Sequence, residues 1–436
     1  MAEEILLDYI VNQPNIDMER EESDLKVLMK INASDALRDP TQGKLTAKTN
    51  MALVLDVSSS MKSREISALA NAAKNAVSKL QPGDIVSVIA FQSVVYEVVE
   101  SVKIVDQNTI QSIQKKINVI DQFQGGGTDL EYALTKAEHL LVANSTGYVN
   151  KIIVFTDGKI TGNEDDCLKR AFEVSERGIG IDALGFGSEF DYKFMQRLVS
   201  FSNGFTTYVE KPEDIQAIFQ NRVSAIKNVI ATDVRLDLHF TPQIRANRGY
   251  RYSPEISYLG KMKLPGDQRR ISIPIGTLEK DKEYAYLLTC VVPKREAGKV
   301  RIFKAELHYS IDALNIKDGS SSQSIVVEYT SRAQSINEIN GEVERAFDEV
   351  EIGRLIEELD ASMTKKDHGH VAMLFDILAE RHKELGDLEM EIHYLNLKKS
   401  YAEAGSISQE EMNYTRHKST QKKESGVKLV DASSLI

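Results

Sequence analysis

Four nearly continuous apolar runs, MALVLDV, IVSVIAF, KIIVFTDG and IGIDALGFG, recur between Met51 and Gly187. A run that is apolar on both pleat faces has to be buried on both, which calls for a parallel strand between two helical layers. The segments between the runs supply those layers. Ile66, Leu69, Ala70, Ala73, Val77 and Leu80 form one helical stripe, and QPGD (residues 81–84) breaks the chain after it. VVYEVVESVKIV reads as a further strand and NTIQSIQKKINVI as a helix. Leu130, Ala133, Leu134, Ala137 and Leu140 mark another stripe. Leu168, Ala171, Phe172 and Ser175 are expected inward on the next helix, which stops at Gly178. YKFMQRLVSFSNG and FTTYVE add a helix and a strand, and KPEDIQAIFQNRVSAIK closes the series as a helix with Pro212 in its first turn. Strands alternating with helices of this length imply right-handed crossovers and a doubly wound, Rossmann-like parallel sheet over residues 48–227.

The period then changes from helical to two. Val234, Leu236, Leu238 and Phe240 alternate with Asp233, Arg235, Asp237 and His239, the pattern of a half-buried antiparallel strand. RRISIPIG, EYAYLLTCVVP, KVRIFKAELHYSI and QSIVVEYT read as its partners, so residues 228–333 are expected to form a β-sandwich. The strand-like DLKVLMKINAS (residues 24–34) precedes the α/β unit. Residues 1–47 are therefore expected to contribute a strand to the sandwich, making the α/β unit an insertion. Residues 334–414 are charged and helix-periodic, with stripes at Phe347, Val350, Ile352, Leu355, Ile356 and Leu359, at Val371, Leu374, Phe375 and Leu378, and at Leu388, Ile392, Leu395 and Tyr401. They predict a helical unit. Residues 415–436, basic and Ser-rich, read as a flexible tail.

A chain of 436 residues with 42% hydrophobic content can bury the cores these units need, and its net charge of -11 excludes an electrostatic nucleic-acid binder or a polybasic membrane-surface protein. The two cysteines, Cys167 and Cys290, lie far apart in apolar segments, with neither metal-ligand spacing nor a disulfide framework. The start, MAEEILLDYIVNQPN, lacks the basic region of a signal peptide, and no run approaches the ~18 apolar residues of a membrane span. A cytoplasmic protein is the expectation.

Chemistry concentrates where the apolar runs end. DVSSS places Asp56, Ser58 and Ser60 after the first strand, GGGTD places Thr128 before a helix, and FTDG places Asp157 after another strand. Each has a structural explanation. Ser60 could cap the following helix, Thr128 and Glu131 could form a capping box, and Asp157 with Gly158 could make a turn. A doubly wound sheet, however, brings the carboxyl ends of its strands to one crevice, where ligands bind. Separate segments then deliver two carboxylates and three hydroxyls to one place. All are hard oxygen donors without His or Cys, which selects Mg²⁺, Mn²⁺ or Ca²⁺ over zinc. An ion with mostly neutral ligands keeps residual positive charge and an open position, for which an incoming carboxylate is the natural ligand.

DVSSS, GGGTD and FTDG, in this order, resemble the DxSxS…T…D pattern of von Willebrand factor type A domains, called the metal-ion-dependent adhesion site. The resemblance covers roughly residues 48–227. It implies that Ser58, Ser60 and Thr128 contact the ion directly and that Asp56 and Asp157 act directly or through waters. It also implies a last helix, residues 212–227, that shifts in some relatives as the site changes state. The arrangement of an A domain followed by β-strands resembles bacterial and inter-α-trypsin-inhibitor-like proteins.

The expected function is a non-enzymatic module, an adaptor or scaffold that captures an Asp or Glu of a partner protein through the ion. The alternative is a metal-dependent phosphate-ester hydrolase, which the sequence disfavours because no well-placed general base accompanies the oxygen donors. Neither a G-x-S-x-G elbow near this strand end nor a GxxxxGK[ST] loop is present. The DHGH segment (residues 367–370) reads as an interhelical turn, and His139 as a partly buried helix residue near the metal loop.

Overall fold

The computed structural model describes residues 4–38, 48–145, 147–157, 159–187, 189–202, 204–209, 211–262, 264, 269–280 and 282–420. The chain opens with β1 (Ile5–Val11), β2 (Asn15–Asp17), β3 (Glu22–Ala33) and a short α1 (Asp35–Arg38). The α/β unit follows as β4 (Thr49–Asp56), α2 (Ser63–Val77), β5 (Ile85–Phe91), β6 (Val95–Lys103), α3 (Gln107–Ile117), α4 (Leu130–Val142), β7 (Val149–Thr156), α5 (Glu164–Glu176), β8 (Ile179–Phe186), α6 (Tyr192–Ser200), β9 (Thr206–Val209) and α7 (Ile215–Lys227). Pro212 lies in a 3-10 turn, Pro212–Asp214, just ahead of α7.

Its sheet runs β6-β5-β4-β7-β8-β9. All pairs are parallel except β5 with β6, which is antiparallel. The wholly parallel sheet expected from sequence thus fails at this edge. The connection after Phe91 is a tight turn closed by Gln92 N–H to the Val94 carbonyl at 3.0 Å, too short for a crossover. The alternation of β4 explains its continuous apolar run. Met51, Leu53 and Leu55 face α2, α3 and α7, while Ala52 and Val54 face α4, α5 and α6. Each fully buried aliphatic side chain of this kind contributes roughly 1.5–3 kcal/mol. In α5 the buried residues are Cys167, Leu168, Ala171 and Val174, and Phe172, expected inward, is exposed.

The remaining strands are β10 (Val229–Phe240), β11 (Arg245–Ser253), β12 (Ser257–Lys261), β13 (Arg270–Glu279), β14 (Tyr284–Pro293), β15 (Gly298–Ile311) and β16 (Ile316–Thr330). They form two five-stranded sheets, β1-β3-β14-β11-β12 and β13-β10-β15-β16-β2, that enclose one apolar core. β3 lies between β1 and β14 with Leu28 opposite Leu287, so the α/β unit is an insertion between sandwich strands. The N-terminal segment supplies three strands where one was expected: β1 pairs with β3, and β2 adds in parallel to β16.

The helical region comprises α8 (Ala333–Ile336), α9 (Gly341–Thr364), α10 (His368–Glu384), α11 (Leu388–Ala404) and α12 (Gln409–Thr420). The first two expected stripes are largely buried between α9 and α10. Of the third, only Tyr401 is buried: Leu388, Ile392 and Leu395 are exposed, and α11 buries Met390, Tyr394 and Leu397 beside Tyr401. The expected tail also begins too early. Residues 415–420 belong to α12 and all but Lys418 are buried, whereas residues 421–436 lie outside the described residues. α12 joins three units: Asn413 Nδ2 donates to the Phe190 carbonyl at 2.6 Å, Ile256 N–H donates to the Thr420 carbonyl at 3.0 Å, and Arg416 pairs with Asp360 of α9. Asp367 caps α10 through the His370 N–H, which gives the DHGH segment a structural role. Among the described residues, no helix is long and apolar enough to cross a membrane.

Candidate metal centre

β4 and β7 are adjacent and parallel, so their carboxyl ends emerge side by side, with Leu55 opposite Phe155. Asp56 ends β4 fully buried. Its Oδ1 accepts the Ser58 N–H at 2.8 Å, a short-range turn that reverses the chain. Its Oδ2 accepts the Thr156 hydroxyl at 2.5 Å. The Ser58 and Ser60 hydroxyls lie 3.0 Å apart, and Ser60 Oγ donates to Asp157 Oδ1 at 2.8 Å. A continuous chain of polar contacts therefore runs Asp56, Ser58, Ser60, Asp157, with all four residues from the ends of two neighbouring strands.

The third segment is lashed to the first by its backbone. Gly125 N–H donates to the Val57 carbonyl at 3.0 Å, and the Gly126 carbonyl accepts both Ser59 N–H at 3.1 Å and Ser59 Oγ at 2.9 Å. Gly126 has φ +62°, and a Cβ there would sit 1.9 Å from Gln92 Oε1. At Gly127 a Cβ would lie 2.8 Å from Thr161 Oγ1, the atom that accepts the Thr128 N–H at 3.0 Å. These glycines let the loop lie against the segment after β4, and Thr128, itself buried, follows them directly. The Thr128 hydroxyl takes part in none of these bonds.

Two capping expectations are corrected. Helix α2 starts at Ser63, with the Glu65 carboxylate accepting the Lys62 N–H at 2.7 Å, so Ser60 lies outside its cap. Helix α4 is capped by Asp129, whose Oδ1 accepts the Tyr132 N–H at 3.1 Å, and Glu131 instead pairs with Arg170. Both hydroxyls are thus released from the roles that competed with metal binding. Gly158, the second half of the expected turn, lies outside the described residues. His139 is exposed in the last turn of α4, at the end away from the Thr128 loop.

The electrostatics are those of a site short of positive charge. Burial pushes the Asp56 carboxyl up to about 6, against hydrogen bonds from Thr156 and Ser58, and the Asp157 charge pushes it the same way. Burial also raises Asp157, opposed by the Ser60 hydrogen bond, with Glu65 raising it further and Lys62 lowering it. Neither aspartate forms an ion pair with Lys, Arg or His among the described residues, in contrast to buried Asp182, which pairs with Lys151 at 2.9 Å. Two converging carboxylates without a cation, ringed by hydroxyl oxygens, fit a hard divalent ion. No cluster of three or more His, Cys, Asp or Glu suited to a metal occurs among the described residues, so a metal here would depend on the Ser and Thr oxygens.

Sequence reasoning missed the supporting residues. Thr156 buttresses Asp56, Thr161 holds Thr128, and Ser93 Oγ accepts the Gly127 N–H at 2.7 Å. Thr156 had a signal, a lone hydroxyl closing an apolar strand; Ser93 and Thr161 sit in loops with none.

Residues 49–208 match the family model of the von Willebrand factor type A domain. An uncharacterized protein of Synechocystis is 24% identical over 264 residues, covering 60% of this chain and 61% of that one. Inter-alpha-trypsin inhibitor heavy chain H1 of Mesocricetus auratus is 22% identical over 265 residues, covering 58% of this chain and 28% of that one. The matches thus take in about three-fifths of the cyanobacterial relative and under a third of the heavy chain. Among solved structures, a von Willebrand factor type A protein from Catenulispora acidiphila superposes with TM-score 0.79 at 17% identity, over 97% of this chain and 98% of that one. The ArnB paralog VWA2 from Sulfolobus acidocaldarius gives TM-score 0.57 at 12% identity over 96% and 98%. The likeness to the Catenulispora structure extends over sandwich and helices as well as the α/β unit. Residues 49–208 thus match the von Willebrand factor type A model and have that fold, inserted into a β-sandwich that a helical region follows.

Proposed function

We propose that this chain is a non-enzymatic, metal-dependent binding protein. Asp56, Ser58, Ser60, Thr128 and Asp157 hold Mg²⁺, with Mn²⁺ or Ca²⁺ as substitutes, and the ion captures an Asp or Glu side chain of a partner protein. The chain acts as an adaptor in a cytoplasmic assembly. One observation carries the reading: two aspartates from neighbouring strand ends converge, buried and without a cation, on a chain of hydroxyl oxygens. When bound, the ion supplies a positive, coordinatively open position for an anionic ligand. The protein's own residues fix that position. Thr156 and the Ser58 backbone orient Asp56, Ser60 aims Asp157, and the Gly125–Gly127 bonds seat the Thr128 loop.

Calorimetric titration of the chelator-stripped full chain with MgCl₂ and MnCl₂ tests the site. Saturable binding is expected, lost in both Asp56→Ala and Asp157→Ala while circular dichroism stays unchanged. Equal affinity in wild type and both variants overturns the assignment. The hydrolase alternative predicts turnover of p-nitrophenyl phosphate that tracks Mg²⁺ or Mn²⁺. No geometric observation favours it: His139, the histidine of α4, is exposed at the end of that helix away from the Thr128 loop.

A further inference from the structure

The crevice is bordered by unlike surfaces. Lys62 stands directly before α2, and Lys159 follows Asp157 by two residues; both are exposed, and the Lys62 charge is felt at Asp157. The other border is apolar. Val94, at the β5–β6 turn, and Tyr132, in the first turn of α4, are 50% and 42% exposed.

Both are fixed to the loop that carries Thr128. Ser93, next to Val94, accepts the Gly127 N–H, and Gln92 accepts the Asp129 N–H at 3.0 Å. Asp129 in turn caps the helix at Tyr132. The Tyr132 ring lies under Lys136, which pairs with Glu97 of β6 at 3.0 Å, so ring and turn lie on the same side of the crevice. Just before the glycines, Phe123 stacks on Tyr96 at a centroid distance of 4.3 Å, with both rings half-buried, extending the border toward the sheet edge. Exposed apolar side chains scattered singly need no explanation, but these gather around one loop beside a candidate ligand position.

We propose that Val94 and Tyr132 form a specificity step, and that the partner presents an extended segment in which the captured Asp or Glu adjoins a bulky aliphatic or aromatic residue. This deepens the metal-dependent reading and rests on it. The acid meets the ion, the neighbouring apolar side chain covers Val94 and Tyr132, and the lysines favour a segment of net negative charge. A partner protein, rather than a second copy, is the occupant. Two copies of a chain carrying -11 repel one another, whereas the exposed Lys62 and Lys159, together with the ion, favour an acidic peptide over a second copy.

The test is a densely immobilised peptide library of the form Gly-X-X-Asp-X-X-Gly, with matching Ala-for-Asp peptides, probed with the full chain in MgCl₂ and in EDTA. The expected result is capture that needs both Asp and Mg²⁺, with Leu, Ile, Val, Phe or Tyr enriched severalfold beside the Asp. Val94→Ser and Tyr132→Ala are both solvent-facing changes that leave the oxygen donors intact. They are expected to flatten that enrichment while the need for Asp and Mg²⁺ persists. Asp- and Mg²⁺-dependent capture with no apolar enrichment, or with enrichment unchanged in both variants, overturns the specificity step and leaves the metal-dependent reading standing. Capture by wild type that ignores both Asp and Mg²⁺, or no capture at all, overturns both.

Discussion

The Ser60 hydroxyl donates to Asp157 Oδ1 at 2.8 Å, tying the loop after β4 to the end of β7 across two separate chain segments. Ser60 is exposed and caps no helix, so removing its hydroxyl opens no core. Ser60→Ala is expected to shift unfolding by less than about 0.5 kcal/mol, as for an ordinary surface substitution. It should nonetheless weaken Mg²⁺ binding by about tenfold or more, the range for losing a group that holds or orients a metal ligand. Urea titration and calorimetry on one preparation separate the two; equal losses in both would make Ser60 structural.

Thr156 predicts the opposite balance. Its hydroxyl is fully buried and donates to Asp56, whose carboxylate has no ion-pair partner among the described residues. Thr156→Val keeps the shape and removes a donor to a buried charged acceptor. The metal-free protein should lose about 1–3 kcal/mol of stability at pH 7. Urea midpoints in EDTA measure it, and an unchanged midpoint would mean that Asp56 finds another donor.

Gly127 tests whether the loop's close approach matters. The clash of a new Cβ with Thr161 Oγ1 and Cγ2, at 2.8 and 2.9 Å, has to be relieved by moving Thr161, which supports the Thr128 backbone. Gly127→Ala should therefore lower metal affinity by about tenfold although it alters no oxygen donor, the lower end of the range for supporting residues. Thr161→Ala in the same background removes the obstruction together with the Thr128 support. It should restore nothing if the support is what matters.

The alternation of runs and stripes was enough to read the α/β unit, because burial on both faces forces every strand position to be apolar. The same reasoning fails where two stripes compete. On α11, Leu388, Ile392 and Leu395 have helical spacing, but so do Met390, Tyr394, Leu397 and Tyr401, and the latter face inward. The choice is made by partners far away in sequence, such as the Ser419 hydroxyl 3.0 Å from Tyr394 OH. α12 was illegible for a related reason. QEEMNYTRHKST is polar apart from Met412 and Tyr414, and much of its burial rests on hydrogen bonds and an ion pair to Phe190, Ile256 and Asp360 that hydropathy cannot register. At the candidate metal centre the proposed donor residues stand in the motif itself, while their buttresses Thr161 and Ser93 depend on loop approach.

His417 on α12 makes the docking of that helix sensitive to acid. It is buried, its ring packs edge-on to Tyr192 of α6 at 6.1 Å, and Arg222 of α7 and Lys418 add positive charge nearby. Burial first, and these charges second, pull its pKa from 6.5 down to about 4. The folded state therefore holds a neutral imidazole where the unfolded chain already takes up a proton. Stability is intact above pH 6.5, declines as pH falls from 6.5 toward 4, and is fully lost from this group below 4. At pH 4.5 the loss amounts to roughly 2–3 kcal/mol relative to pH 7. His417→Gln removes this titration and leaves the other acid-sensitive groups in place. The wild-type urea midpoint should thus fall more steeply between pH 7 and pH 4.5 than that of the variant, with the two curves parallel above pH 7. Parallel curves throughout would mean that α12 already leaves its seat, or that His417 is protonated within it, before the domains unfold.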